Sequence, residues 1–219
     1  MNQIIMTDAR LSQEKVRNLY NSISSVYDFW GAATEGRARK AGIRLAQIRD
    51  GESILDVATG TGSMLFEGVS LNPNGFSAGI DISDGMLQKA KSKLANSSAS
   101  YEIKMGSAFD IPYQNEQFDL ILNGYMFDLI SHEEMPKILS EFRRVLKPGG
   151  RIVLMNMTIG ERPGSQIYQW LYSVSPSIMG GCRGVQLVPL LEKTGFKIFA
   201  REYIQQSLFP SEVILAKME

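Results

Sequence analysis

The stretch Ile54, Leu55, Asp56, Val57, Ala58, Thr59, Gly60, Thr61, Gly62 constrains this chain more than any other. It reads as a buried strand running into a loop of small residues that opens a helix. In such a loop the backbone comes close to a ligand, and the first helical turn presents amides with no partner in the chain. A turn of this kind also occurs without a ligand, so its neighbours decide. Asp81 closes the next strand about twenty residues further on, the placement of a ribose-binding acid. Leu65 stands where a dinucleotide fingerprint needs its third glycine, which argues against NAD or FAD. Asp56 would repel a phosphate but suits the cationic end of a nucleoside that carries an amino acid.

Around this stretch, short β-branched runs alternate with helical patterns, the signature of a parallel sheet with helices on both faces. Strands are expected at Ser53 to Ala58, Phe76 to Asp81, Tyr101 to Lys104, Phe118 to Asn123 and Arg151 to Met157. Helices are expected at Arg37 to Ile48, Gly62 to Leu71, Asp84 to Ala95 and Pro136 to Leu146. Ser83 is placed to cap the third of these helices. Ser131 and Glu134 resemble a capping box, but Pro136 would break a helix begun there, so the regular helix should start near Glu133 to Met135. Lys147, Pro148, Gly149, Gly150 reads as its end and as a turn into the next strand.

Ahead of this core, Val16, Leu19, Tyr20, Ile23 and Tyr27 recur at helical spacing. Behind it, Gly160 to Gly184 is rich in Gly, Pro and Ser yet carries Tyr168, Trp170, Tyr172, Ile178 and Met179, more than a plain linker needs. Gln186 to Lys193 then reads as a helix, with strands at Phe196 to Tyr203 and Glu212 to Lys217 and a connection holding Phe209 and Pro210. The expected fold is a single α/β domain with a mostly parallel seven-stranded sheet and an antiparallel last strand. It divides into a helical cap (1–50), a ligand-binding core (51–158), a lid (159–185) and a closing helix with a strand pair (186–219).

Lysine plus arginine and aspartate plus glutamate balance at 23 each, so no global field favours nucleic acid. One cysteine, Cys182, excludes an intrachain disulfide and a cysteine-built metal site, and no metal is expected. That usage fits a reducing, cytoplasmic setting. The first residues lack the pattern of a secretion signal, and no run reaches the ~20 apolar residues of a membrane-spanning helix. Contact with a membrane would be peripheral, and the chain should be a monomer or homodimer.

The sequence resembles the class I S-adenosylmethionine-dependent methyltransferases, and within them the branch of ubiquinone and menaquinone biosynthesis C-methyltransferases. Tyr20 to Asp28 (YNSISSVYD) is similar to that branch's N-terminal signature, Leu55 to Gly62 (LDVATGTG) to its first motif, and Glu141 to Gly150 (EFRRVLKPGG) to its late motif. The resemblance implies that S-adenosylmethionine is the cofactor. Asp56, Ala58, Thr59, Gly60, Thr61 and Gly62 would hold its methionine part and Asp81 its ribose hydroxyls. Ile82 and Met86 would face the adenine, and Gly106, Ser107 and Ala108 would edge it. Asn123 and Gly124 would lie beneath the sulfonium, with Tyr20 and Tyr27 closing from the N-terminal side. Two positions depart from the branch: Val26 stands where it usually has arginine, and Ser107 where an acid commonly binds the adenine amino group.

Methyl transfer from a sulfonium requires mainly alignment and exclusion of water. Aromatic faces help to hold the cation. Tyr125 and Phe127 after the fourth strand, with Tyr168, Tyr172 and Arg183 in the lid, are the candidate substrate residues. Packing within the core is the competing role for the aromatics. His132, the only histidine, and Asp128 are the candidate bases, against plainer roles at a solvated helix entry and as a cap. The expected acceptor is a small, apolar molecule such as a quinol or an isoprenoid- or lipid-like compound. The alternatives are N- or O-methylation of a phospholipid headgroup or other small molecule, a cofactor-binding protein without catalysis, and an NAD-dependent oxidoreductase.

Overall fold

The computed structural model describes Glu14 and residues 35–158, 183–206 and 209–218. Helix α1 (Gly36–Ala46) leads into β1 (Ser53–Val57), α2 (Ser63–Leu71), β2 (Phe76–Asp81), α3 (Asp84–Leu94), β3 (Ser100–Met105) and β4 (Phe118–Gly124). After a short 3-10 turn at Phe127–Leu129 come α4 (Met135–Val145), β5 (Leu146–Met157), α5 (Val188–Lys193), β6 (Phe196–Gln206) and β7 (Phe209–Met218). The expected N-terminal helix and most of the expected lid, including Tyr20, Val26, Tyr27, Tyr168, Tyr172 and Cys182, lie outside the described residues.

The seven strands form one sheet in the order β3-β2-β1-β4-β5-β7-β6. The pairs from β3 to β5 are parallel, and β7 runs antiparallel to both neighbours. From β1 the chain winds outward to β2 and β3, then returns to lay β4 on the other side of β1. This reversal opens a crevice at the carboxyl ends of β1 and β4, where open α/β sheets bind ligands.

Both faces of the sheet are covered, which is why its strands read as continuous apolar runs rather than alternating ones. Leu55, Val57, Ile121 and Leu154 pack on the α4 and α5 side with Ile138, Leu139, Phe142 and Leu191. Their strand neighbours Ile54, Leu120, Leu122, Val153 and Met155 pack on the other face with Ala38, Ala41 and Leu45 of α1. Helix α4 buries Met135, Ile138, Leu139, Phe142 and Val145, a single stripe at helical spacing.

Local chemistry sets the ends of the elements. The Ser83 hydroxyl accepts the Met86 amide at 3.2 Å, the cap read from the sequence. Helix α4 starts at Met135, with Pro136 in its first turn where a missing amide costs nothing. Before it, Ser131 and Glu134 close a turn, the Glu134 amide donating to the Ser131 carbonyl at 3.0 Å and the Ser131 hydroxyl to the Glu134 carboxylate at 2.8 Å.

Three boundaries differ from expectation. Lys147 to Gly150 is a bulge inside β5 rather than a turn before it: Leu146 already pairs Phe118, and Arg151 pairs Leu120. The four residues loop out opposite Asp119, whose carboxylate accepts from Lys147 Nζ at 2.7 Å. Phe209 and Pro210 belong to β7, paired with Gln206 and Gln205, because the hairpin continues past the apolar run that marked it. Helix α5 starts only at Val188, since the Val185 amide is bonded to the Met157 carbonyl at 2.9 Å and holds that segment extended. No helix among the described residues is long and apolar enough to cross a membrane.

Candidate active site

The glycine loop between β1 and α2 is tied to β2 along its length. The Thr59 amide donates to the Ile80 carbonyl at 2.9 Å, and Ala58, Gly60 and Gly62 all take positive φ. At Gly62 the φ is +78°, and a Cβ there would sit 2.8 Å from the Cβ of Ala90 on α3, so both backbone and space demand glycine. The third glycine of a dinucleotide fingerprint is not simply absent. Its space is supplied from the strand: a Cβ on Gly79 of β2 would meet Leu65 Cδ2 at 2.6 Å. Helix and strand approach closely, with the small residue on the strand and the large one on the helix.

Two carboxylates flank this loop. Asp56, wholly buried, accepts the Thr59 hydroxyl at 2.7 Å. Burial pushes its pKa up to about 7; the charge of Asp81 adds to the rise, and the Thr59 hydroxyl opposes it. Asp81 receives the Gly60 amide on one oxygen and the Ser83 amide on the other, both at 2.9 Å. Burial also raises its pKa, against these amides and that of Ile82. Each Asp81 oxygen keeps further lone pairs after one amide bond, enough to accept from a pair of vicinal hydroxyls.

A cleft of about 270 Å³ opens over the loop, lined by Asp56, Ala58, Thr59, Gly60, Thr61, Gly124 and Tyr125 among the expected residues. Sequence reading did not single out Glu35, Arg39, Ser63, Met64, Lys93 and Met155, which also line it. Arg39 is paired with Glu67 at 2.8 Å, and Lys93 Nζ donates to Ser63 Oγ at 2.6 Å and Thr61 Oγ1 at 3.3 Å. Arg39 and Lys93 stand at helix positions indistinguishable in sequence from solvated ones. Of the two residues that Lys93 contacts, only Thr61 belongs to the motif and carried a signal.

Among the residues expected around the adenine, Ile82 is half-buried between Asp81 and Ser83, and Met86 is buried on α3. The Gly106 amide donates to the Asp81 carbonyl at 3.1 Å. The Ser107 hydroxyl accepts the Phe109 amide at 3.2 Å, closing a turn, and Ala108 is packed in the core. Of the two residues expected beneath the sulfonium, Asn123 donates from Nδ2 to the Val57 carbonyl at 2.8 Å and stitches β4 to β1. Its Oδ1 is buried without a hydrogen-bond partner, immediately before Gly124 of the cleft.

The candidate acid–base residues gather elsewhere. Asp128 is wholly buried, with both carboxylate oxygens accepting the Met157 amide at 3.0 and 3.1 Å. Burial lifts its pKa well above the carboxylate range, against the Met157 amide and the charge of Arg183. Arg183, expected to reach outward to an acceptor, is instead only 2% exposed, donating from Nη2 to the Ile130 carbonyl and lying 3.3 Å from His132 Nε2 through Nη1. Neither Asp128, His132 nor Arg183 lines the cleft. Phe127 does not line it either: it is sealed in the core, edge-on to Phe142 with ring centroids 6.0 Å apart. Among the described residues no His, Cys, Asp and Glu side chains gather as a metal site.

The family model of the methyltransferase domain matches residues 48–195. Among curated proteins, the chain is 32% identical to the demethylmenaquinone methyltransferase of Lactococcus lactis over 75% of its own length and 66% of that protein, just under two thirds of it. It is 29% identical to the demethylmenaquinone methyltransferase of Desulfitobacterium hafniense over 93% of its length and 79% of that protein. Among solved structures, a SAM-dependent methyltransferase from Methanosarcina mazei shares the fold with a TM-score of 0.66 at 20% identity, over 78% of this chain and 93% of that one. The matched span runs from the approach to β1 through the loop, both flanking carboxylates and α5, and by it the chain belongs to the methyltransferase-domain family, on the class I, S-adenosylmethionine-dependent fold.

Proposed function

We propose that this protein transfers a methyl group from S-adenosylmethionine to a small, apolar acceptor of the quinol class. The observation that carries the reading is the pair of buried carboxylates, Asp56 and Asp81, on either side of one small-residue loop. Two such acids repel a pyrophosphate, whereas one suits a ribose diol and the other an ammonium. The acceptor class follows the two demethylmenaquinone methyltransferases that the chain resembles.

When bound, the cofactor supplies an electrophilic methyl group on sulfur. The chain's own residues bind, orient and exclude water. Asp81 fixes the ribose, and Asp56 with Thr59 the amino-acid end. The loop and Gly124 would hold the part of the cofactor that carries the sulfonium, and Tyr125 would bound the side open to an acceptor. Alignment of this kind accounts for much of the acceleration that a group transfer needs.

The test is to incubate the protein with S-adenosylmethionine and a reduced, ring-unmethylated naphthoquinone, and to follow product by mass spectrometry. Gain of one methyl on ring carbon is the expected result. A phosphatidylethanolamine control should gain none. Methylation of the control alone would replace the quinol reading with the headgroup one.

A further inference from the structure

We infer that Met155 and Tyr125 form the wall on which the acceptor ring is seated, and that Met155 sets which acceptors the cleft admits. This rests on the reading of the cleft as a methyl-transfer site. Both residues line the cleft. Tyr125 has φ +55°, a left-handed conformation that is costly for an aromatic residue and persists only where the surroundings enforce it. Here they do so at both ends: its amide donates to the Met155 carbonyl at 2.7 Å, and its phenol shares a 3.0 Å hydrogen bond with the buried Ser211 hydroxyl. The ring is thereby fixed beside the cleft, with its oxygen engaged behind it.

Met155 occupies a slot hollowed out for a thioether. A Cβ on Gly42 of α1 would lie 2.8 Å from its sulfur, and one on Gly124 of β4 would lie 2.9 Å from its terminal methyl. Two elements far apart in sequence therefore omit a side chain at the place where this one passes. The resulting wall is a phenol ring and a soft thioether, polarisable surfaces that match the face of a flat conjugated ring. Neither carries a charge for a phosphate headgroup, and of the two cations that line the cleft Arg39 is paired with Glu67 while Lys93 donates to Ser63 and Thr61. The wall thus favours a bicyclic hydroxylated aromatic over a polar headgroup.

The test compares the full chain with M155A, M155L and G42A. Binding of S-adenosylhomocysteine is measured by calorimetry, and steady-state methylation with naphthohydroquinone and with one-ring hydroquinone as acceptors. Met155→Ala should lower kcat/KM for naphthohydroquinone by about tenfold or more, the scale on which apolar pocket contacts discriminate. The loss should be smaller for the one-ring acceptor, and S-adenosylhomocysteine affinity should stay within about twofold. Met155→Leu, which keeps volume, should retain most of the activity, and Gly42→Ala, which pushes the Met155 sulfur aside from α1 without being part of the cleft lining, should fall between. If Met155→Ala does not fold, the Leu and Gly42 variants carry the comparison. Unchanged kcat/KM in the variants, or cofactor affinity falling in step with it, overturns the inference alone. A wild-type protein that binds S-adenosylhomocysteine but neither binds nor methylates either hydroquinone overturns the acceptor reading, and this inference with it.

Discussion

Asp56 has a pKa near 7 in a position that a cofactor ammonium would occupy, and its titration therefore reports on the site directly. In the unfolded chain an aspartate titrates near 4. Between these two values the folded state binds the proton more tightly, so the contribution of this group to stability falls as pH rises from about 4 to about 7 and is level above. Ligand binding has the opposite dependence. An ammonium beside the carboxylate favours its ionised form, so below pH 7 binding must expel a proton. Calorimetric affinity for S-adenosylhomocysteine should rise with pH, by at most about tenfold per unit, and flatten above about pH 7. Asp56→Asn should bind more weakly with no such slope; a slope that survives the substitution would assign it to another group. The charge argument for Asp56 was legible in the sequence, but its protonation was not, because that depends on burial and on Asp81 across the loop. The same limit applies to Arg183, read from the sequence as a substrate residue of the lid, whose guanidinium is turned inward onto Ile130 and His132.

Among the elements, the contact of α2 with β2 shows how a motif was read correctly from one side only. Leu65 signalled that this is no dinucleotide fingerprint, and Gly79, an unremarkable glycine within an apolar strand, turned out to be its complement. No local pattern ties the two, since they belong to elements with separate periodicities. Gly79→Ala should destabilise by about 1–3 kcal/mol through overpacking against Leu65 and Thr59. Leu65→Ala alone should cost about 2–5 kcal/mol through the cavity it leaves. In the double variant the new methyl occupies part of that space, so urea denaturation at constant m should give a combined loss smaller than the sum. Strict additivity would mean that the two side chains do not compete for space. The bulge at Lys147 to Gly150 is a parallel case: Pro and Gly read as a stop between elements, yet Leu146 pairs before them and Arg151 after them.

At the scale of the molecule, the order of the strands brings Asp56 and Gly124 to one cleft from β1 and β4, with Asp81 at the end of β2 holding the Gly60 amide of the same loop, and this much follows from a βαβ pattern and its crossover rule. The proposed acceptor wall follows only in part: Tyr125 after β4 stood out in the sequence, whereas Met155 of β5 and Ser211 of β7 meet it through contacts that no spacing encodes. Cofactor choice can be tested on the whole fold without knowing the acceptor. A ligand that binds only the native state stabilises it by about 2.7 kcal/mol at a concentration of 100 times its Kd. For a domain of this size that raises Tm by roughly 5–10 °C. S-adenosylhomocysteine should produce such a shift in a thermal melt and NAD none. Asp81→Ala should lose most of it, because the ribose then loses its charged acceptor and the Gly60 and Ser83 amides lose the group that orders the loop. An equal shift with NAD would mean that Leu65 and Gly79 leave room for a pyrophosphate after all, and the placement of two acids at one loop would then have to be explained without a sulfonium.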